Sequence, residues 1–499
     1  MTVYDVMIAG AGPAGSALAI ELAGAGYSVL LMDAARFPRD KVCGDYVSPR
    51  GLARLEALGC GDAVRALACT PIHSSRLYLN SERLVSGTLP RVPGLPPYGL
   101  AIPRRDLDEL LFRRALAAGA EGREACRISG FEVTGAGVEV AAVREGKPHR
   151  AVGRLLVGAD GATSVVARTA GMGMNDSRYT LASIRAYAHD LTIDHTIMYF
   201  DEKYFPGYGW VFPVRPGLCN IGVGMVSEAL VRGGLKLPEF YAKFQRFVMH
   251  LGRAHGARPR LGPQRGWPIR SYGGAHRNYF DRGLLIGEAG CFVDPINGEG
   301  IPLALETARI AAGTIRAAFR QGRFGAAVLS QYELDFRAAL DPDLAISDLA
   351  VAMIRNRHLL PLWLTSFRGM CHTARSDPRY AQITGGILGG VIPARAALTP
   401  EMFARTLRHV PGFLREMFSP GDPQRPADWL ADGLKLLRWQ MDLARAVVRD
   451  GPWFRAWLGE VESKQRRLAA RTLRAAVVGG ARTADPAGPA DSADSADPW

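Results

Sequence analysis

The sequence is poor in acid, in paired cysteine and in long apolar runs, and each shortage closes off a class of protein. Acidic side chains number 48 against 61 basic ones, leaving a formal net charge of +13. No nucleic-acid motif accompanies that charge, so no nucleic-acid partner is expected. The excess of arginine, as in the Lys464, Arg466, Arg467, Arg471 and Arg474 stretch, reads either as a solvated basic face or as a surface for diphosphates and anionic headgroups. The seven cysteines (43, 60, 69, 126, 219, 291 and 371) include no CxxC pair, which excludes a disulfide framework and a dithiol redox motif. With no basic, apolar leader, that odd count points to a reducing cytoplasm. Ten histidines form no HExxH, and no metal centre is expected. No stretch reaches the roughly 20 continuous apolar residues of a spanning helix. Any contact with the inner face of a membrane is therefore expected to be peripheral. What remains is ordinary globular composition, 48% hydrophobic and 22% charged, in 499 residues, enough for two or three domains.

Glycine is abundant, and its placement is informative. Gly10-Ala-Gly12-Pro-Ala14-Gly15 lies between a short apolar stretch, Tyr4 to Ala9, and a small-residue stretch, Ser16 to Ala23. A strand, tight turn and helix in this order suit a dinucleotide pyrophosphate: Gly10 permits the turn, Gly12 lets the backbone approach the phosphates, and Gly15 lets helix and strand pack closely. The free amides at the helix start favour the phosphate charge. Tyr27 to Met32 reads as the next strand, and Asp33 ends it at the spacing where a carboxylate accepts hydrogen bonds from an adenosine ribose. Two further segments, Gly158-Ala-Asp160-Gly161 and Gly287-Glu288-Ala-Gly290 leading into Asp294-Pro295 and Gly298-Glu299-Gly300, complete a set in the order expected for one FAD.

Punctuation along the chain gives a discontinuous organisation. Ser48-Pro49 opens a helix through about Leu58 that stops at Gly59. Residues 73–90 alternate as strands, Arg104 to Ala118 is an amphipathic helix, and Phe131 to Val157 reads as two or three strands. Ser183 to Pro268 is mostly strand, with a helix near Leu237 to Leu251. Arg282 to Ile286 reads as a strand and Gly300 to Gln321 as a helix. Beyond Gln331 the chain reads as helical, including Trp429 to Val448 and Pro452 to Val478. The fold class expected is α/β: a Rossmann-like FAD-binding domain (1–72, 96–180 and 278–330), an inserted antiparallel β-sheet substrate domain (73–95 and 181–277), and a C-terminal helical region (331–478). The Ala/Asp/Pro/Ser-rich tail, 479–499, lacks apolar surface to offset chain entropy and is expected to be disordered.

Four segments carry a family resemblance. These are Phe37-Pro-Arg-Asp-Lys41-Val-Cys43-Gly44-Asp45, Tyr204-Phe-Pro-Gly-Tyr208-Gly-Trp210-Val-Phe212-Pro213, Cys219-Asn-Ile-Gly222-Val-Gly224 and Asp294-Pro295-Ile-Asn297-Gly298-Glu299-Gly300-Ile301. With the three glycine segments they resemble the geranylgeranyl reductase family of glutathione-reductase-like flavoproteins over roughly residues 1–330. The resemblance implies FAD contacts from Lys41, Cys43, Gly44, Arg104 or its neighbour Arg105, Asp160, Gly287, Glu288, Pro295, Gly298, Gly300 and Ile301. The family commonly has Gly-Asp where this chain has Gly287-Glu288, so that contact is expected to shift. By chemistry alone, Asp160 serves either as a helix cap or as an orienter of a flavin loop. The Ile301 helix start would stabilise a reduced flavin anion.

The implied reaction is reduction of C=C bonds in an isoprenoid or similar apolar substrate by hydride from FADH2. A proton must arrive at the second carbon, and Cys43, Tyr204, Tyr208 or a bound water are its candidate sources. Tyr208, Trp210 and Phe212 alternate on one strand face and line either a substrate tunnel, with Tyr204 beside it, or the sheet core. A flavin monooxygenase is the alternative class. A halogenase is disfavoured because Trp210 stands alone where halogenases have WxWxIP. No second GxGxxG follows a strand, so electrons are expected from transiently bound NAD(P)H, from ferredoxin or from a separate reductase.

Overall fold

The computed structural model describes residues 2–173, 176–274, 277–418 and 426–481. The strands Val3–Ala9 and Val29–Met32 are apolar along nearly their whole length because both faces of their sheet are covered. Val6, Ile8, Val29 and Leu31 face a core shared with the helices Pro13–Ala23, Arg104–Ala117 and Ile301–Gln321. The alternate residues Met7, Ala9, Leu30 and Met32 face a second core, under the hairpin Cys126–Val133 and Val138–Arg144. That is the two-sided burial of a parallel sheet. The strands Glu121–Arg123, Val29–Met32, Val3–Ala9, Lys147–Gly158 and Gly283–Leu285 lie side by side, all parallel, with Tyr279–Phe280 antiparallel at the edge. The expected Rossmann-like layer is therefore present, and the 131–157 region resolves into three strands.

The second sheet runs in the order Arg260–Leu261, Thr180–His189, Leu218–Val226, Tyr208–Arg215, Thr196–Phe200, Ser74–Leu79 and Glu82–Thr88. Its pairs are antiparallel with one exception: Thr196–Phe200 runs parallel to Ser74–Leu79. The exception follows from connectivity. The 74–88 hairpin leaves the first layer a hundred residues earlier in the chain and joins an edge it did not build, as a parallel neighbour can only after a long crossover. The helix Leu237–Ala254 covers one face of this sheet, burying Phe240, Phe244 and Val248 against Tyr199, Val211 and Val223. The opposite face looks towards the first layer.

Helices dominate from Gln331 onward. Leu360–Ser376 packs on the 74–88 hairpin through Leu364, Phe367 and Cys371 against Leu79 and Leu84. Asp341–Ile354 holds the last helix, Gly451–Ala481, through Trp457, whose Nε1 donates to the Ala352 carbonyl at 2.7 Å. Lys464, read from the sequence as part of a basic face, is instead buried and paired with Asp348 and Glu460. The tail read as disordered begins inside that helix at 479–481, and its remaining residues lie outside the described residues.

Candidate functional site

Between the two sheets lies a cavity of about 900 Å³. Its floor is the glycine turn. Gly10 sits at φ +95°, and a Cβ there would stand 2.5 Å from the Ala159 carbonyl oxygen, so only glycine fits between the two crossing chains. Gly15 does not reach the cavity; a Cβ on it would stand 1.9 Å from the Gly10 oxygen, which is the close helix–strand packing read from the sequence. Gly12 and Ala14 line the cavity at the start of the helix Pro13–Ala23. That first turn carries no acidic residue, so its amide dipoles are left for an anion.

Charge is arranged around this floor in linked pairs. The Asp33 carboxylate accepts from the Ala11 and Ala35 amides at 2.9 and 2.8 Å, at the cavity edge. Arg104 is buried, lines the cavity and is held bidentate by Asp108 at 2.6 and 2.7 Å. Arg39, which sequence reading passed over, pairs with the same Asp108 at 2.8 Å. Arg105 points to solvent, so of the two neighbouring arginines only Arg104 can face a ligand here. Lys41 pairs with Glu288 at 2.7 Å, and the longer glutamate also accepts the Arg270 amide at 3.2 Å. Asp160 is a helix cap, accepting from the Val165 and Val166 amides and the Ser164 hydroxyl, while still lining the cavity. Gly287 and Pro295 do not line it; Gly287, at φ +56°, lets the chain pass Ala14, whose Cβ would be 2.8 Å away.

The roof is the uncovered face of the second sheet. Tyr208, Trp210 and Phe212 all line the cavity, whereas Gly209 and Val211 face the helix Leu237–Ala254. This settles their alternation: they are wall residues, not sheet core. Tyr204 does not join them. Its ring stacks on Phe240 with centroids 4.6 Å apart, on the helix-covered side. The residue lies in the Asp201–Gly207 turn before the strand begins, so the strand's alternation does not apply to it. The Tyr208 hydroxyl donates to the Asn297 carbonyl at 2.9 Å, and the Trp210 indole donates to Asn220 at 2.9 Å. Gly298, at φ +71°, leaves room for that tyrosine: a Cβ there would be 2.7 Å from its oxygen. Gly298, Gly300 and Ile301 line the cavity where the helix Ile301–Gln321 begins.

Cys43 and Gly44 also line the cavity. Burial pushes the Cys43 thiol above its ordinary range, with nearby Arg104 pulling it back. Beside it stands a residue the sequence displays, at the end of the Phe37–Asp45 segment, but does not single out. Asp45 is wholly buried and left-handed, at φ 64°. Its Oδ2 accepts from Tyr187 at 2.6 Å and from Asn220 at 2.7 Å. Asn220 also donates to the Cys43 carbonyl at 2.8 Å. Burial raises the Asp45 carboxyl to about 6, against the opposing pull of those hydrogen bonds. Glu299 is the second such carboxyl; burial raises it to about 7, its Oε1 has no partner, and it faces Tyr46 and Gly390. A third group missed by sequence reading is apolar. Leu77, Val85, Leu89, Phe367, Met370 and Leu388 line the same cavity, bringing the C-terminal helices into its wall.

The residues present fit FAD. Gly10 holds backbone where a Cβ would clash, Gly12 leaves open the space before Arg39 and Arg104, which supply fixed positive charge, and a loop with φ-positive glycine feeds a long helix start. Fold and cavity thus define an FAD-dependent oxidoreductase. The chain belongs to the FAD binding domain family, whose model matches residues 3–340. The menaquinone reductase of Mycobacterium tuberculosis is 34% identical over 330 residues, 62% of this chain and 75% of the relative. The digeranylgeranylglycerophospholipid reductase of Methanocella arvoryzae is 30% identical over 356 residues, covering 68% and 84%. Among solved structures, a geranylgeranyl bacteriochlorophyll reductase-like protein from Thermoplasma acidophilum superposes with a TM-score of 0.64 at 18% identity, over 84% of this chain and 99% of that one. The flavin-dependent halogenase CmlS gives 0.60 at 22%, over 75% and 72%. The resemblance to geranylgeranyl reductases stated from the motifs therefore holds, and the two structural likenesses speak for the fold.

Proposed function

We propose that this oxidoreductase reduces C=C bonds of an isoprenoid or similarly apolar substrate. The observation that carries the reading is the continuity of one cavity from the glycine floor, past Cys43 and Trp210, to the apolar wall of Leu77, Val85, Phe367, Met370 and Leu388. A wall of that composition suits a long hydrocarbon chain. The relatives' names, menaquinone reductase and digeranylgeranylglycerophospholipid reductase, support the same substrate class. Electrons come from NAD(P)H bound transiently at the flavin or from ferredoxin or a separate reductase.

Bound FAD, once reduced, supplies the hydride. The chain does the rest. Gly10, Gly12 and the start of Pro13–Ala23 hold the pyrophosphate, with Arg39 and Arg104 balancing its charge. Asp33 takes the adenosine ribose. Gly298, Gly300 and the Ile301 helix start would hold the flavin end of FAD, where the helix's free amides would favour negative charge. Trp210 and Phe212, fixed by the sheet, hold the alkene against it and exclude water. The test is mass spectrometry of an isoprenoid panel incubated with reduced, FAD-loaded protein, without and with oxygen. Anaerobic gain of hydrogen pairs supports the reading. Oxygen-dependent gain of an oxygen atom makes the protein a monooxygenase instead.

A further inference from the structure

We propose that Asp45 is the acid that delivers the proton to the reduced double bond. This rests on the reduction reading above. The reaction needs a hydride at one alkene carbon and a proton at the other, and the flavin accounts only for the first.

Geometry selects Asp45 among the groups around Cys43. Both of its strong donors, Tyr187 and Asn220, converge on Oδ2, at 2.6 and 2.7 Å. Oδ1 has no partner, so it is the oxygen left to carry a proton. The residue lines the cavity, and Asn220 ties it to both Cys43 and Trp210. Its left-handed backbone, uncommon for a residue with a side chain, is held there by these partners.

The alternatives are committed elsewhere or are weaker acids. The Tyr208 proton is given to the Asn297 carbonyl, and burial raises that phenol further. Tyr204 is on the far side of the sheet. The Cys43 thiol is raised by burial and its sulfur already accepts the Asp45 amide at 3.3 Å. A carboxylic acid that titrates near 6 is a stronger donor than either and is still recharged near neutral pH. The charged and titratable groups facing Asp45 are Tyr187 and Arg185 from one strand, Arg104 from the helix, and Cys43 and Cys69. Burial holds the value up; the Tyr187 and Asn220 hydrogen bonds, and after them the two arginines, hold it down.

The balance closes. The alkene takes a hydride, with its electron pair, at one carbon. The Asp45 O–H bond breaks as a C–H bond forms at the other, leaving a carboxylate. Once product has left, water entering the cavity that Asp45 lines returns the proton to the carboxylate.

The test uses FAD-loaded full-length protein reduced anaerobically and mixed with a polyprenyl alkene that the wild type reduces. Asp45→Asn is expected to keep its FAD and slow product formation in a single turnover by about a hundredfold. It should also lose the wild type's fall in rate as pH rises through 6. Tyr187→Phe removes one of the two hydrogen bonds that lower Asp45, so the fall in rate should move to higher pH. As a readout independent of turnover, the infrared difference between wild type and Asp45→Asn should contain a carboxylic-acid carbonyl band at pH 5 that disappears by pH 8. Asp45→Asn with the wild-type rate and pH profile, or no such band, overturns the proposal and leaves the reduction reading intact. A wild type that hydrogenates no alkene overturns the reading itself, and the proposal with it.

Discussion

Gly12 shows how much one missing side chain decides. A Cβ there would lie 3.6 Å from Arg104 and 3.8 Å from Arg39, so the branches of a valine would fill the gap between the turn and its two arginines. Gly12→Val is expected to lower FAD occupancy at least about tenfold, read as flavin absorbance per purified chain, with the melting of the apoprotein little changed. Glu299 carries a different consequence. Its folded-state value is raised to about 7, so ionising it costs the folded state. Wild-type stability should fall as pH rises from the ordinary glutamate range through 7. Glu299→Gln should remove the Glu299 share of that fall, leaving that of Asp45, and be more stable than wild type at pH 8 by about 3 kcal/mol. Urea midpoints at pH 5 and pH 8 check both. The glycines, Asp33 and Arg104 were legible in the sequence because their task is local: a turn, a strand end, a helix start. Asp45 was not, since its meaning lies in Tyr187 and Asn220, on strands more than a hundred residues away.

At the scale of elements, the strand Tyr208–Arg215 is the hinge of the account, because its pleat sends Trp210 to the cavity and Val211 to the core. Its neighbour keeps a space for that ring. A Cβ on Gly222 would lie 2.2 Å from Trp210 and 2.5 Å from the Ile184 oxygen. Gly222→Ala should destabilise the protein by about 1–3 kcal/mol and displace Trp210, whereas Gly130→Ala, with open space at its Cβ, should do neither; denaturant midpoints separate them. The alternation of this strand was legible, but not which face was covered, since that depends on where Leu237–Ala254 packs. Tyr204 was misjudged for the related reason that it precedes the pleat. The parallel junction of Thr196–Phe200 with Ser74–Leu79 was likewise invisible, as strand order is set by a long connection and not by either strand's own pattern.

For the whole molecule, the C-terminal helices change role. Sequence reading made them only a C-terminal helical region, yet Phe367, Met370 and Leu388 form part of the cavity wall. Their apolar positions serve helix packing and the cavity together, and periodicity cannot separate the two uses. Gly385 lines the cavity and has no atom within 4 Å of an added Cβ. Gly385→Phe should therefore keep FAD and fold while excluding long-chain substrates, with short ones turned over as before; product profiles from a chain-length series check this.

The most direct test of the central claim is an anaerobic titration of reduced, FAD-loaded protein with a polyprenyl substrate, following flavin absorbance and product mass together. Reduction predicts reoxidation without oxygen, with one hydrogen pair gained by the substrate for each flavin reoxidised. A flavin that stays reduced until oxygen is admitted, with oxygen then found in the product, would contradict it.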